Sequence, residues 1–352
     1  MRLRRTSPDQ PGWTRRRAGR GWTYLDADGH RLTGTDRDRC EALVIPPAWQ
    51  DVWITPYPHG HLQAVGTDAA GRRQYLYHPE WRRRRDEEKF ERVLTFGAAL
   101  ASARTRVLAD LGGSGMPLER SCAAAVRLLD LGCFRIGNDV YADAHGHFGL
   151  TTLERRHVRR KGEGLEFHFV GKSGVEHRIE IADVGVVEAI AVMRRRRAAE
   201  DPRLLAYTER RRWRGLLPDL VNTYVREATG IEATAKDFRT WHATVLAAAS
   251  LAGASDRGEP GGTAASRKRA VSVAMKEVSA FLGNTPTLAR TSYVDPRVVL
   301  AYEEGRTIRA AVRRSHASPD ERQADLERAT LRLLGGPTQL PLPDLSQVTL
   351  AS

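Results

Sequence analysis

At residues 81–92 the run WRRRRDEEKFER separates two differently written parts of the chain. Before it, GWTYLDADG, ALVIPPAW, DVWITPYP and HLQAVGTDAAGRRQYLYHP set β-favouring residues between DG, PP and AG punctuation, which is the pattern of a small, mostly antiparallel sheet. After it, Phe90, Val93, Leu94, Leu100, Val107, Leu108 and Leu111 recur near a helical period. One layer of structure cannot satisfy both patterns, so the chain is expected to build two units with a boundary and a hinge at residues 82–88. The expected fold class is α+β. A small antiparallel β-sheet forms an N-terminal domain over 1–85, and a larger, mainly α-helical domain containing a β-hairpin spans 86–335. A Gly/Pro-punctuated tail over 336–352 is expected to be disordered.

Within the larger part, helices are expected over 89–111, 117–131, 183–199, 217–228, 236–252, 266–282, 296–313 and 319–334. One segment departs from that period. LEFHFVG alternates Leu165, Phe167 and Phe169 with other residues, KSG follows, and VEHRIEI resumes the alternation, so a hairpin with Lys172 at its tip is expected. Gly283 suits the end of the 266–282 helix, and residues 253–265 read as a flexible loop.

With 352 residues, 41% of them hydrophobic, the chain can bury proper cores, and its net charge of +13 favours a polyanionic partner, nucleic acid above all. No stretch approaches the roughly 20 apolar residues of a membrane span, and the N-terminus lacks the apolar run of a signal peptide. No membrane association is therefore expected, and the location expected is the cytoplasm, on the nucleoid. Cys40, Cys122 and Cys133 are odd in number and widely spaced, and no histidine pair has zinc-site spacing, so no metal and no cofactor are expected. Only six basic residues are lysine, against 50 arginines. Lysine can surrender a proton near neutral pH when its pKa is lowered, and arginine cannot, so the few lysines draw attention.

The stretch LGNTPTLARTSYVDP ends in Tyr293. A tyrosine usually buries its ring, and a phenol can act as a nucleophile only where cations stabilise its oxyanion. Taken singly, Arg135 in CFRIGNDVY, Arg239 in KDFRTWHA, Lys172 in FVGKSG and Asn284 in LGN are unremarkable. Taken in order, FRIGNDVYADAHGHFGLTTL, FHFVGKSGVEHRI, KDFRTWHA and LGNTPTLARTSYVDP, together with GRRQYLYHPEW, resemble the active-site blocks of type IB DNA topoisomerases of the poxvirus and bacterial kind. The resemblance covers most of residues 40–310.

The resemblance implies that Tyr293 attacks a DNA phosphorus, leaving the enzyme on a 3′ phosphate and freeing a 5′ hydroxyl. Arg135 and Arg239 would stabilise the two non-bridging oxygens, Asn284 would donate a further hydrogen bond to them, and Lys172 would protonate the departing 5′ oxygen. Poxvirus members carry histidine at the Asn284 position, and an amide there excludes proton transfer. Gln74, Tyr75, Tyr77, Tyr141 and Lys236 fall where family counterparts touch DNA, while Asn138 stands where poxvirus members have lysine. The partner implied is double-stranded DNA, held by a monomer acting as a clamp, with neither ATP nor divalent metal required. Two readings compete. Tyrosine recombinases share the chemistry but typically carry His-x-x-Arg where Lys236 stands, and a non-catalytic basic DNA-binding protein would explain the charge alone.

Overall fold

The computed structural model describes residues 1–137, 146–196, 201–256 and 263–336. Contacts divide the chain into two units, Met1–Lys89 and Phe90–Ser352. In the first, the short β-favouring segments become β1 (Trp13–Ala18), β2 (Gly21–Leu25), β3 (Gln50–Ile54), β4 (Leu62–Thr67) and β5 (Arg73–Tyr77). They pair antiparallel in the order β2-β1-β3-β4-β5. A small core of Trp13, Tyr24, Leu32, Cys40, Ile45, Val52, Ile54 and Ala64 lies under this sheet. Cys40 comes from helix α1 (Gly34–Ala42), whose sequence GTDRDRCEA has no apolar period to announce it. On the edge strand β5 the alternation leaves Arg73, Tyr75 and Tyr77 exposed along one face.

Helix α2 (Pro79–Leu111) starts well before the expected residue 89, so residues 82–88 are helical where a hinge was expected. The cause is electrostatic. The run has no apolar stripe but carries i,i+3 and i,i+4 pairs: Arg83 with Glu80 at 2.6 Å and with Glu87, Arg85 with Glu88 at 2.7 Å, and Lys89 with Asp86 at 3.4 Å. Such pairs support an exposed helix that a search for buried positions passes over. The point where contacts divide the chain, between Lys89 and Phe90, therefore lies inside one helix.

The second unit is mainly helical. It comprises α3 (Leu118–Gly132), α4 (Val184–Arg194), α5 (Pro218–Thr229), α6 (Ala235–Asp256), α7 (Ala264–Leu282), α8 (Pro286–Ser292), α9 (Pro296–Glu303), α10 (Arg309–Arg313) and α11 (Pro319–Leu334). The helix expected over 183–199 stops at Arg194, and the one expected over 296–313 is two helices. The loop expected over 253–265 is shorter, because α6 runs on to Asp256 and α7 begins at Ala264; residues 257–262 lie outside the described residues, as does the tail from 337.

The expected hairpin is present as β7 (Gly164–Val170) and β8 (Glu176–Ile181), with Leu165, Phe167 and Phe169 buried. A third strand, β6 (Val158–Lys161), pairs with β7; its charged VRRK sequence hides it, and Arg159 and Lys161 bind the buried Glu166. A second hairpin joins β9 (Ala206–Glu209) to β10 (Arg212–Gly215). Among the described residues no helix is long and apolar enough to cross a membrane.

Helix α6 runs through the core of this unit, with Phe238 through Val245 all buried. Its start has a sequence cause. In TAKD, the Thr234 N–H and hydroxyl both donate to the Asp237 carboxylate, at 2.8 and 3.0 Å, which closes the first turn. Further along, His242 meets Asp130 at 3.0 Å, and Arg104 forks onto Asp130 at 2.8 and 2.9 Å and onto Glu327 of α11 at 2.7 and 2.9 Å. Burial alone would push the Asp130 carboxyl up, but Arg104 and His242 hold it well below the usual carboxylate range. This network ties α2, α3, α6 and α11 together with every charge partnered.

Candidate active site

Helix α3 ends at Cys133 in a left-handed conformation (φ 49°), which turns the chain into the segment carrying Arg135. That segment is fixed by its own backbone: the Arg135 carbonyl accepts from Leu150 N–H at 2.7 Å and the Ile136 carbonyl from Thr151 N–H at 2.8 Å. Arg239 lies one turn into α6, 4% exposed. Its Nη2 donates to the Leu282 carbonyl at 2.7 Å and its Nη1 to the Cys133 carbonyl, so one guanidinium staples the ends of α3 and α7. Asn284 follows the left-handed Gly283 that caps α7, and Tyr293 follows α8. Thr244 of α6 donates to the Tyr293 carbonyl at 3.3 Å and accepts from Asp295 N–H at 3.2 Å, which fastens the tyrosine segment to the helix bearing Arg239.

These placements bring four side chains together. Arg135 Nη1 donates to Tyr293 Oη at 3.3 Å and its Nη2 donates to Asn284 Oδ1 at 2.5 Å, while the Arg239 guanidinium carbon lies 5.5 Å from the centre of the Tyr293 ring. Tyr293 is 7% exposed. Burial alone would push its phenol up, but the charges of Arg239 and Arg135, with the Arg135 hydrogen bond, outweigh it and hold the pKa below its ordinary value of 10.0. Arg239 in turn lies below the usual arginine range, first through burial and then through repulsion from Arg135. An anion between the two arginines would relieve that repulsion.

Two buried donors point to the same need. Arg239 Nε and Asn284 Nδ2 have no hydrogen-bond partner among the described residues. The amide orientation follows from its neighbour, since only Oδ1 can accept from Arg135; Nδ2 is thereby left free to donate. Two arginine forks and an amide N–H beside a phenol can bind a tetrahedral oxyanion and stabilise the charge that gathers on it during displacement.

The remaining expected positions are not part of this cluster. Lys172 is exposed in the turn Lys172–Gly174 of the β7–β8 hairpin, with no hydrogen bond or ion pair among the described residues. Lys236 is exposed in the first turn of α6. In the N-terminal unit, Gln74 donates to Asp68 at 2.9 Å, and the Tyr75 and Tyr77 rings stack with centres 6.2 Å apart. Tyr141 and Asn138 lie outside the described residues. Sequence reasoning missed Thr244 and the carbonyls of Cys133 and Leu282, because a hydroxyl or carbonyl that positions a neighbour leaves no residue-type signal. The three cysteines are free and buried, and burial pushes the Cys133 thiol beside Arg239 up to about 12. Asp26, Asp28 and His30 come close enough to hold a cation, but Asp26 already accepts the Asp28 and His30 N–H groups of its own turn.

The phenol makes a pH prediction. A pKa depressed by folding adds stability that is fully present only above the unfolded value near 10 and is lost as pH falls through the folded value. The Tyr293 phenolate should therefore appear, in a difference absorbance titration of the protein against Tyr293→Phe, at lower pH than in an unfolded control. In an Arg239→Ala background it should appear later.

A family model described as the eukaryotic DNA topoisomerase I catalytic core matches residues 78–313, and one described as the bacterial DNA topoisomerase IB N-terminal domain matches residues 21–68. A DNA topoisomerase 1B of Acanthamoeba polyphaga mimivirus is 27% identical over 290 residues, covering 80% of this chain and 85% of the viral protein.

Proposed function

The chain belongs to the DNA topoisomerase I catalytic-core family and is a type IB DNA topoisomerase, and we propose that it relaxes duplex DNA by cutting one strand through a covalent intermediate on Tyr293. The observation that carries this reading is the meeting of a buried phenol with two arginines and a free amide donor. Tyr293 gives up its phenol proton to solvent, a loss that the charges of Arg239 and Arg135 favour. Its oxygen forms a bond to phosphorus as the bond from phosphorus to the 5′ oxygen breaks, leaving a 3′-phosphotyrosyl link. Arg135, Arg239 and Asn284 hold the non-bridging oxygens, where fixed donors stabilise developing charge most effectively. Lys172 gives its proton to the departing 5′ oxygen and takes it back when the 5′ hydroxyl attacks the link to reseal the strand.

The phosphodiester energy is kept in the tyrosyl link, so ATP is not consumed. Every positive charge the reaction needs is supplied by a side chain, so divalent metal is dispensable as well. We further propose that the protein acts as a monomer whose two units close around the duplex, with the exposed Arg73, Tyr75 and Tyr77 of β5 facing DNA, and that it works in the cytoplasm on the nucleoid. Supercoiled plasmid incubated with the protein in excess EDTA without nucleotide should be fully relaxed. Dependence on added Mg²⁺ or ATP would contradict the reading.

A further inference from the structure

His177 of β8 carries no hydrogen bond on either ring nitrogen among the described residues, yet it is tightly held. Its ring stacks on Phe169, with centres 5.1 Å apart and planes 20° from parallel. Two glycines face it. A Cβ at Gly171 would lie 2.7 Å from His177 Cδ2, and a Cβ at Gly283 would lie 2.4 Å from His177 Cε1. Neither position can carry a side chain while the ring is there, and at Gly283 the backbone is also left-handed, with φ +62°.

These neighbours are not arbitrary. Gly171 precedes Lys172, the group assigned to leaving-group protonation, and Gly283 precedes Asn284 of the phosphate-binding cluster. A single imidazole therefore spaces the Lys172 turn from the Asn284 turn. The two turns are held very differently. The Asn284 turn is fixed independently, by Arg239 Nη2 on the Leu282 carbonyl at 2.7 Å, by Asn284 N–H on the Ser279 carbonyl at 2.9 Å, and by Arg135 on the amide. The Lys172 turn is exposed and is closed by Gly171 N–H on the Val175 carbonyl at 2.7 Å and Gly174 N–H on the Gly171 carbonyl at 3.1 Å, while just before it Phe148 N–H from outside the hairpin holds the Val170 carbonyl at 2.8 Å.

We infer that His177 is a positioning residue: its ring docks the hairpin turn against the end of α7 and so aims Lys172 at the 5′ oxygen, without itself exchanging a proton. The inference rests on the proposed role of Lys172. Loss of the ring should leave phosphate binding by Arg135, Arg239 and Asn284 in place and should weaken only the step that delivers the proton. Misplacing a reacting group by about 1 Å can cost up to about 10²-fold.

The test uses a DNA whose scissile 5′ oxygen is replaced by sulfur, because a thiolate leaves without needing a proton. The unaltered protein, His177→Ala, His177→Phe and Lys172→Ala are compared for single-turnover cleavage of the oxygen and sulfur substrates. The sulfur-to-oxygen rate ratio is internal to each preparation, so a fraction of unfolded protein does not distort it. Lys172→Ala should be slowed about 10²- to 10⁴-fold on oxygen and little on sulfur. His177→Ala should show the same pattern at about 10- to 100-fold, and His177→Phe, which keeps a ring in the gap, should recover part of the loss. If Lys172→Ala is slowed equally on both substrates, the role proposed for Lys172 fails. If Lys172→Ala behaves as expected but His177→Ala is unimpaired, or impaired equally on both substrates, the positioning role alone is overturned. Equal loss in His177→Phe and His177→Ala would mean that the nitrogens act chemically, and would overturn it too.

Discussion

Tyr293→Phe is expected to abolish plasmid relaxation and the covalent protein–DNA adduct, a loss of about 10⁴-fold or more, as befits the removal of a nucleophile. Duplex binding should remain within about threefold, since most affinity for DNA comes from cations on phosphates. The change removes one hydroxyl, whose partner Arg135 keeps its bond to Asn284, and the ring still fills its place against the core. Stability should accordingly move by no more than about 1 kcal/mol, the usual size of a single hydrogen bond. Binding retained with chemistry lost separates an enzyme from a basic protein that merely coats DNA. Retained relaxation would end the proposal that residue 293 attacks the phosphorus.

Arg239→Ala should slow cleavage about 10²- to 10³-fold, the loss found when one donor to a developing oxyanion is removed. Arg239→Lys should recover little of it. A lysine restores the charge but has no planar fork, so it cannot hold the Cys133 and Leu282 carbonyls while offering a further donor to phosphate, as the free Nε allows. In the proposed mechanism Arg135 and Arg239 serve the same anion, so the double variant should lose less than the product of the two single losses. Near-normal cleavage by Arg239→Lys would show that charge alone is needed there and that the fork geometry is incidental.

How much of this was legible depended on which force shaped each element. The β7–β8 hairpin could be read because Leu165, Phe167 and Phe169 alternate into a core. The first turns of α2 could not, because ion pairs rather than a buried stripe hold them. The β9–β10 hairpin was missed for a different reason. Its turn places Arg210 and Arg211 at φ 46° and 63°, a conformation normally announced by Asn-Gly. In the site, the residue types and their order were legible, and the structure brings Arg135, Arg239, Asn284 and Tyr293 together. The supports for those side chains were not. Carbonyl staples to Arg239, the Thr244 bridge and the His177 wedge depend on distances between segments far apart in the chain, which no local pattern encodes.

The most direct test of a tyrosyl intermediate is to trap it. Supercoiled plasmid is mixed with the protein and quenched with detergent during turnover; the adduct is then digested with protease and nuclease, and the modified peptide is sequenced by mass spectrometry. The account predicts a nucleotide joined through its 3′ phosphate to Tyr293 within LGNTPTLARTSYVDP, with a free hydroxyl at the opposing 5′ end. DNA attached to any other residue, or attached through a 5′ phosphate, would contradict it.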